Sequence, residues 1–188
     1  MQDRLVSISY GNAGILQRLT IGTLDAAGIF MRQDSTQHLT DPDYVDTSAR
    51  KYAKELDSVY LTFAKRVSKG IRKRRSSTGI YAHAMAAVLE QKDESLKSGI
   101  PTKNIYNIAK SREPRIQLGN LRSILGNIER LQVDEEGRGL VLAFANDKVR
   151  VVDYQLLLYR QFLTADWPWQ DLIDETDATG EGYDTPEN

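Results

Sequence analysis

The clearest pattern in the chain lies between residues 47 and 69. There Ala49, Tyr52, Ala53, Leu56, Val59, Tyr60, Phe63 and Val67 recur at helical spacing with polar residues between them. That period predicts a long amphipathic helix over 47–69. Upstream, Ile15, Leu16, Leu19, Leu24 and Ala27 predict a helix over 13–27, with Gly28 as its stop. The polar stretch MRQDSTQHLTDPDYVD, which contains Pro42, predicts a loop between the two.

Further along, Ser77 or Thr78 is placed to cap a helix through 91 that turns Ile80, Tyr81, Ala84, Met85, Val88 and Leu89 inward. KDESLKSG reads as a charged linker. Ile100 and Pro101 open a short helix to 110, because proline suits a first helical turn, and SREP breaks it. Another helix over 117–131 carries Leu118, Leu121, Ile124, Leu125 and Ile128 on its inner side. The period then drops from 3.6 to 2. Leu131 and Val133 lead into the turn DEEGRG, LVLAF follows, and a tight turn at Asn146 and Asp147 precedes Val149, Val151 and Val152. DYQLLLYRQFL predicts a last helix covering this sheet, and the acidic remainder DETDATGEGYDTPEN predicts disorder.

The expected fold is mainly α: an N-terminal helical segment, then a winged helix-turn-helix of three helices and a small β-ribbon, then a covering helix. The expected divisions are 1–76, 77–165 and an acidic tail over 166–188. A winged helix packs its second and third helices at a steep angle and turns the outer face of the third toward the DNA major groove. The outward candidates on that helix are Gln117, Asn120, Arg122, Ser123, Asn127 and Arg130, all able to hydrogen-bond base edges or phosphates. Lys110, Arg112 and Arg115 precede it, near backbone amides that favour an anion. Arg138 and Lys148 are the cations of the wing. Asp134, Glu135 and Glu136 argue against close phosphate contact at its first turn.

Charge sharpens this picture. The net charge is only -1, but eight of the 26 acidic residues lie from Asp166 onward with no basic residue among them. That leaves 25 basic against 18 acidic residues before it, a body of +7. No carboxylate occurs between Asp57 and Glu90, where Lys65, Arg66, Lys69, Arg72, Lys73, Arg74 and Arg75 stand. A helix ending at Lys69 accounts for the first three, since cations suit its C-terminal dipole. The last four point to a polyanion or to a docking strip for an acidic surface.

Double-stranded DNA is therefore the expected partner. The alternative is a protein-interaction module, with the acidic tail folding back on the basic strip as an inhibitor.

Catalytic chemistry finds no foothold. Without cysteine there is no thiolate ligand or nucleophile, and a reducing, cytoplasmic setting is expected. G-x-x-x-x-G-K-[ST] and G-x-S-x-G are absent, and His38 and His83 have no metal-binding spacing. A non-enzyme without cofactor is expected, and without an apolar run of 18 residues it has no membrane span. Trp167 and Trp169 either clamp the chain end or form a short motif for a partner.

YGNAGILQRLTIGTLDAAGI resembles the helical lid that follows the nucleotide-binding core of AAA+ and related STAND-type P-loop ATPases, in which a glycine-asparagine pair opens a helix after a last core strand. LVSIS reads as a remnant of what leads into it. Some members of that superfamily carry a DNA-binding winged helix behind the lid, so the resemblance, over residues 5–155, implies the C-terminal part of such an ATPase or a stand-alone derivative. It implies a missing ATPase domain as a possible partner. The glycine at the fourth place of GNAG, with Arg18 a turn later, departs from the nucleotide-sensing arginine of such lids, so no ATP-binding residue is carried over.

Overall fold

The computed structural model describes residues 1–69, 79–163 and 165–179. Along the chain these form α1 (Gln2–Ile8), α2 (Ala13–Ala26), α3 (Asp43–Lys69), α4 (Gly79–Leu89), α5 (Asp93–Ser98) and β1 (Ile100–Pro101). They continue as α6 (Thr102–Arg112), α7 (Leu118–Gly126), α8 (Ile128–Gln132), β2 (Leu142–Ala145), β3 (Lys148–Val151), α9 (Gln155–Phe162) and α10 (Pro168–Thr179). The fold is mainly helical with a small antiparallel sheet, in the order β1-β3-β2. Helices α4 and α5, strand β1, helices α6 to α8 and a terminal hairpin, with the first strand pairing the last, follow the element order of a winged helix-turn-helix with two short helices, α5 and α8, added.

The chain divides into two compact units, Met1–Val59 with Tyr154–Ala165, and Tyr60–Asp153 with Asp166–Asn188. In the first, Tyr10 and Gly11 take positive φ (53° and 77°) to turn the chain from α1 into α2. Asn12 then caps α2, its Oδ1 accepting from the Ile15 N–H at 3.1 Å. The glycine-asparagine pair that carries the ATPase resemblance thus acts locally, glycine permitting the turn and asparagine capping the helix. The LVSIS segment lies largely in α1 and is helical, not a strand remnant.

Helices α2 and α3 meet closely at Gly22, where an added Cβ would collide with the Ser48 side chain. Ser48 Oγ donates to the Leu19 carbonyl at 3.1 Å across the same crossing. Arg4 pairs with Asp46 (2.9 Å) and Arg18 with Glu55 (2.5 Å), the latter guanidinium lying 5.8 Å from the Tyr52 ring centre. Helix α9 belongs to this unit, and its Gln155 Oε1 accepts from Tyr52 Oη.

In the second unit α4 is the central helix: every residue from Ala82 to Leu89 is buried, and α6, α7 and α10 pack on it. Burial reaches all its faces, not the single stripe the periodicity predicts, because four alanines let neighbours approach from several sides. His83 lies within this core, 3% exposed. Tyr60, fully buried, donates its Oη to Asp153 at 2.6 Å.

Several expected elements differ. KDESLKSG contains α5 instead of a plain linker. Ile100 and Pro101 form the edge strand β1, paired with Val149 and Lys148, and the helix starts after them; an edge position suits proline, which has no ladder N–H to give. Helix 117–131 is broken at Asn127 into α7 and α8, so Leu131 is helical and Val133 belongs to no strand. Helix α3 begins earlier than expected, at Asp43. The acidic tail is helical through Thr179, where disorder is expected from Asp174. Trp169 of α10 is buried and stacks on Trp167, ring centres 4.5 Å apart, which is the clamp reading of the pair.

Candidate nucleic-acid interface

Helices α6 and α7 are joined by a turn built around Glu113. Its carboxylate accepts from the Arg115 backbone N–H (3.0 Å), Nε (2.8 Å) and Nη2 (3.0 Å), while its carbonyl accepts from Ile116 N–H. The Arg115 guanidinium holds this carboxyl below the ordinary carboxylate range against the opposing effect of burial. The turn is thereby fixed, and with Ile116, Leu121, Ile124 and Leu125 buried, α7 has one orientation.

That orientation leaves Gln117, Asn120, Arg122 and Ser123 exposed together, the outward face expected from the spacing. Asn127 is half-buried and committed at the helix break, its Nδ2 donating to the Ser123 carbonyl (2.9 Å) and its Oδ1 accepting from Arg130 (3.3 Å). Arg130 is exposed on α8. Lys110 is exposed on α6, its Nζ donating to Tyr106 Oη at 2.8 Å.

Among the described residues, four of the expected cations have carboxylate partners. Arg112 pairs with Glu90, Arg115 with Glu113, Arg122 with Asp147, and Arg138 with both Asp134 and Glu136. The Arg112–Glu90 pair is exposed and holds weakly against water and salt, so a phosphate can compete for that guanidinium. The exception in geometry is Arg138, tied within the 134–138 turn by Asp134, whose carboxylate also accepts the Arg138 and Glu136 N–H groups.

The β2–β3 turn is only Asn146 and Asp147, both at positive φ (52° and 59°), the two-residue hairpin the sequence predicts. Its Asp147 carbonyl accepts from both the N–H (2.9 Å) and Oγ1 (3.1 Å) of Thr102, so the turn is fastened to the start of α6. Lys148, exposed on β3, lies over Gly99, whose φ of 96° lets the chain pass within contact distance. Arg150, also exposed on β3, and Lys103, exposed on α6, join the surface beyond the cations expected from the sequence. Alternation with buried Val149 and Val151 was the available signal for Arg150. Arg72, Lys73, Arg74 and Arg75, and the side chain of Lys69, lie outside the described residues.

Residues 99–130 hold six basic residues (Lys103, Lys110, Arg112, Arg115, Arg122, Arg130) against Glu113 and Glu129, a local charge of +4. Among the described residues no cluster of histidines and carboxylates is arranged to hold a metal ion, and no helix is long and apolar enough to cross a membrane. In the first unit a shallow groove, lined by Arg18, Asp25, Ser48 and Tyr52 among others, is small and open. No family model, curated protein or solved structure matches the chain.

Proposed function

We propose that the second unit binds duplex DNA without catalysis, laying the exposed face of α7 in the major groove while cations of α6 and α8 meet the flanking phosphates. The observation that carries this reading is the coincidence of a +4 segment, residues 99–130, with an outward polar face at Gln117, Asn120, Arg122 and Ser123. The hairpin turn has a separate role, since Asp147 at its tip repels phosphate. The basic stretch Arg72–Arg75 adds four charges in sequence. The test is a polarisation titration of the full chain with labelled duplex at several salt concentrations. Affinity should fall steeply from about 50 to about 200 mM salt. No binding at the lower concentration removes the proposal.

A second reading, contact with a protein, is favoured by one observation in the first unit. Ile21, Leu24, Phe30 and Met31 are exposed there, Phe30 and Met31 each at 76%. In the reading that follows the ATPase resemblance, this unit meets a nucleotide-binding domain. Co-purification of a protein partner without nucleic acid would support that reading over DNA binding.

A further inference from the structure

We infer that Arg122 is the residue through which α7 reads a guanine, and that Asp147 of the hairpin turn is the residue that positions it. This rests on the proposal that the unit binds duplex DNA.

Asp147 is unusually well placed to act as an anchor. It sits in a two-residue turn at φ 59°, flanked by the paired residues Ala145 and Lys148, with its carbonyl held by two bonds from Thr102. Its carboxylate receives Arg122 along one edge of the guanidinium, Nε to Oδ1 at 3.1 Å and Nη2 to Oδ2 at 3.0 Å. A guanidinium has five N–H donors, and this pairing uses the side edge alone. The end edge, formed by Nη1 and the second hydrogen of Nη2, remains for another planar acceptor pair. The Arg122 side chain is 56% exposed, so a ligand can reach it.

The chemistry of the neighbour decides what kind of ligand fits. A phosphate approaching Arg122 would meet the negative Asp147 beside it, and the two anions repel. The O6 and N7 atoms of guanine are neutral acceptors spaced for a bidentate arginine, and they meet no such penalty. The lone pairs that Asp147 keeps can accept from the N4 amino group of a cytosine nearby. The pairing with Asp147 also biases the fork toward one orientation, which lowers the conformational freedom it loses on contact. The hairpin thus serves recognition indirectly: it holds the reading side chain and itself stays off the backbone.

The experiment selects bound duplexes from a randomised library with the full chain and follows with polarisation titrations on the selected site. Wild-type protein should prefer guanine at one position, and replacing that G·C pair by A·T should weaken binding about 10- to 100-fold. Arg122→Ala should erase that preference and weaken binding to the selected site by about 10- to 100-fold. Asp147→Gly suits a turn that needs positive φ, and it removes the carboxylate with its methylene while the backbone carbonyl that accepts from Thr102 stays. It should reduce the preference at that position while random-duplex affinity is unchanged or higher, a split that a merely structural role would not produce. It also decides the matter if Arg122→Ala does not fold. A wild-type protein that binds duplex without sequence preference, or an Asp147→Gly protein with the wild-type guanine preference, overturns the inference and leaves the DNA-binding proposal standing. A wild-type protein with no duplex affinity removes that proposal itself.

Discussion

Gln132 hydrogen-bonds the backbone of Leu142 in both directions: its Oε1 accepts from the Leu142 N–H at 2.7 Å, and its Nε2 donates to the Leu142 carbonyl at 2.8 Å. The same Oε1 accepts from Val141 N–H at 3.0 Å. A buried side-chain amide from α8 thus takes the place of a neighbouring strand along β2, and Glu129 does the same for the Phe144 N–H at 2.9 Å. The outer edge of the sheet is closed by side chains, which removes a template for pairing with another chain.

Gln132→Met keeps the shape and removes every one of those bonds. Three buried backbone groups would lose their partner, so a loss of about 3 kcal/mol is expected from urea unfolding. A loss below about 1 kcal/mol would mean that water or a shifted helix replaces the amide.

At the α2–α3 crossing, Gly22→Ala places a methyl group against Ser48. Overpacking of this kind costs about 1–3 kcal/mol. Ser48→Ala removes the nearest atom, so the double variant should recover part of the loss. Simple additivity of the two single changes would show that the helices do not meet there as described.

Trp169 is 4% exposed on a helix that packs against α4. Trp169→Ala should cost about 3–5 kcal/mol in thermal or urea unfolding. A test of inhibition by the acidic tail should therefore remove only residues after 179, since a deletion from 170 would also remove most of α10 and confound folding with binding. An unchanged stability for Trp169→Ala would assign the indole to a partner instead of to the core.

Acid should weaken the α6–α7 turn. Glu113 has a folded-state pKa below its unfolded value of about 4.3, chiefly because Arg115 bonds its carboxylate. The stabilisation is therefore present above that unfolded value and disappears as pH falls through the lower folded one. Wild-type protein should lose more stability between about pH 5 and pH 3 than Arg115→Gln, which has less to lose. Parallel pH curves for the two would rule out this contribution.

Replacing Arg72, Lys73, Arg74 and Arg75 with glutamine tests the basic stretch by its charge alone. If all four meet phosphates, the slope of log affinity against log salt should become shallower by about 3.6. An unchanged slope places the DNA contacts on α6, α7 and α8.

What could be read from the sequence alone was local. The 3.6-residue period of α2 and α3 follows from burying one stripe of a helix, and the Asn146–Asp147 hairpin follows from two residue types that tolerate positive φ. The outward face of α7 follows in the same way from the spacing of Leu121, Ile124 and Leu125.

Tertiary structure decided the rest, because the deciding partners are far apart in the chain. Ile100 and Pro101 are a strand only because β3 lies alongside them, and no two-residue segment announces that. Gln132 is buried because β2 needs an edge partner, although its sequence neighbours Arg130 and Glu129 are exposed. The pairing of Arg122 with Asp147 spans 25 residues, and it turns a cation that looked free to bind phosphate into one held by a carboxylate. Residue type sets the charge and the period. Which charge stands beside which is set by packing, because packing brings distant segments within a few ångströms and desolvates some of their polar groups while leaving others to solvent.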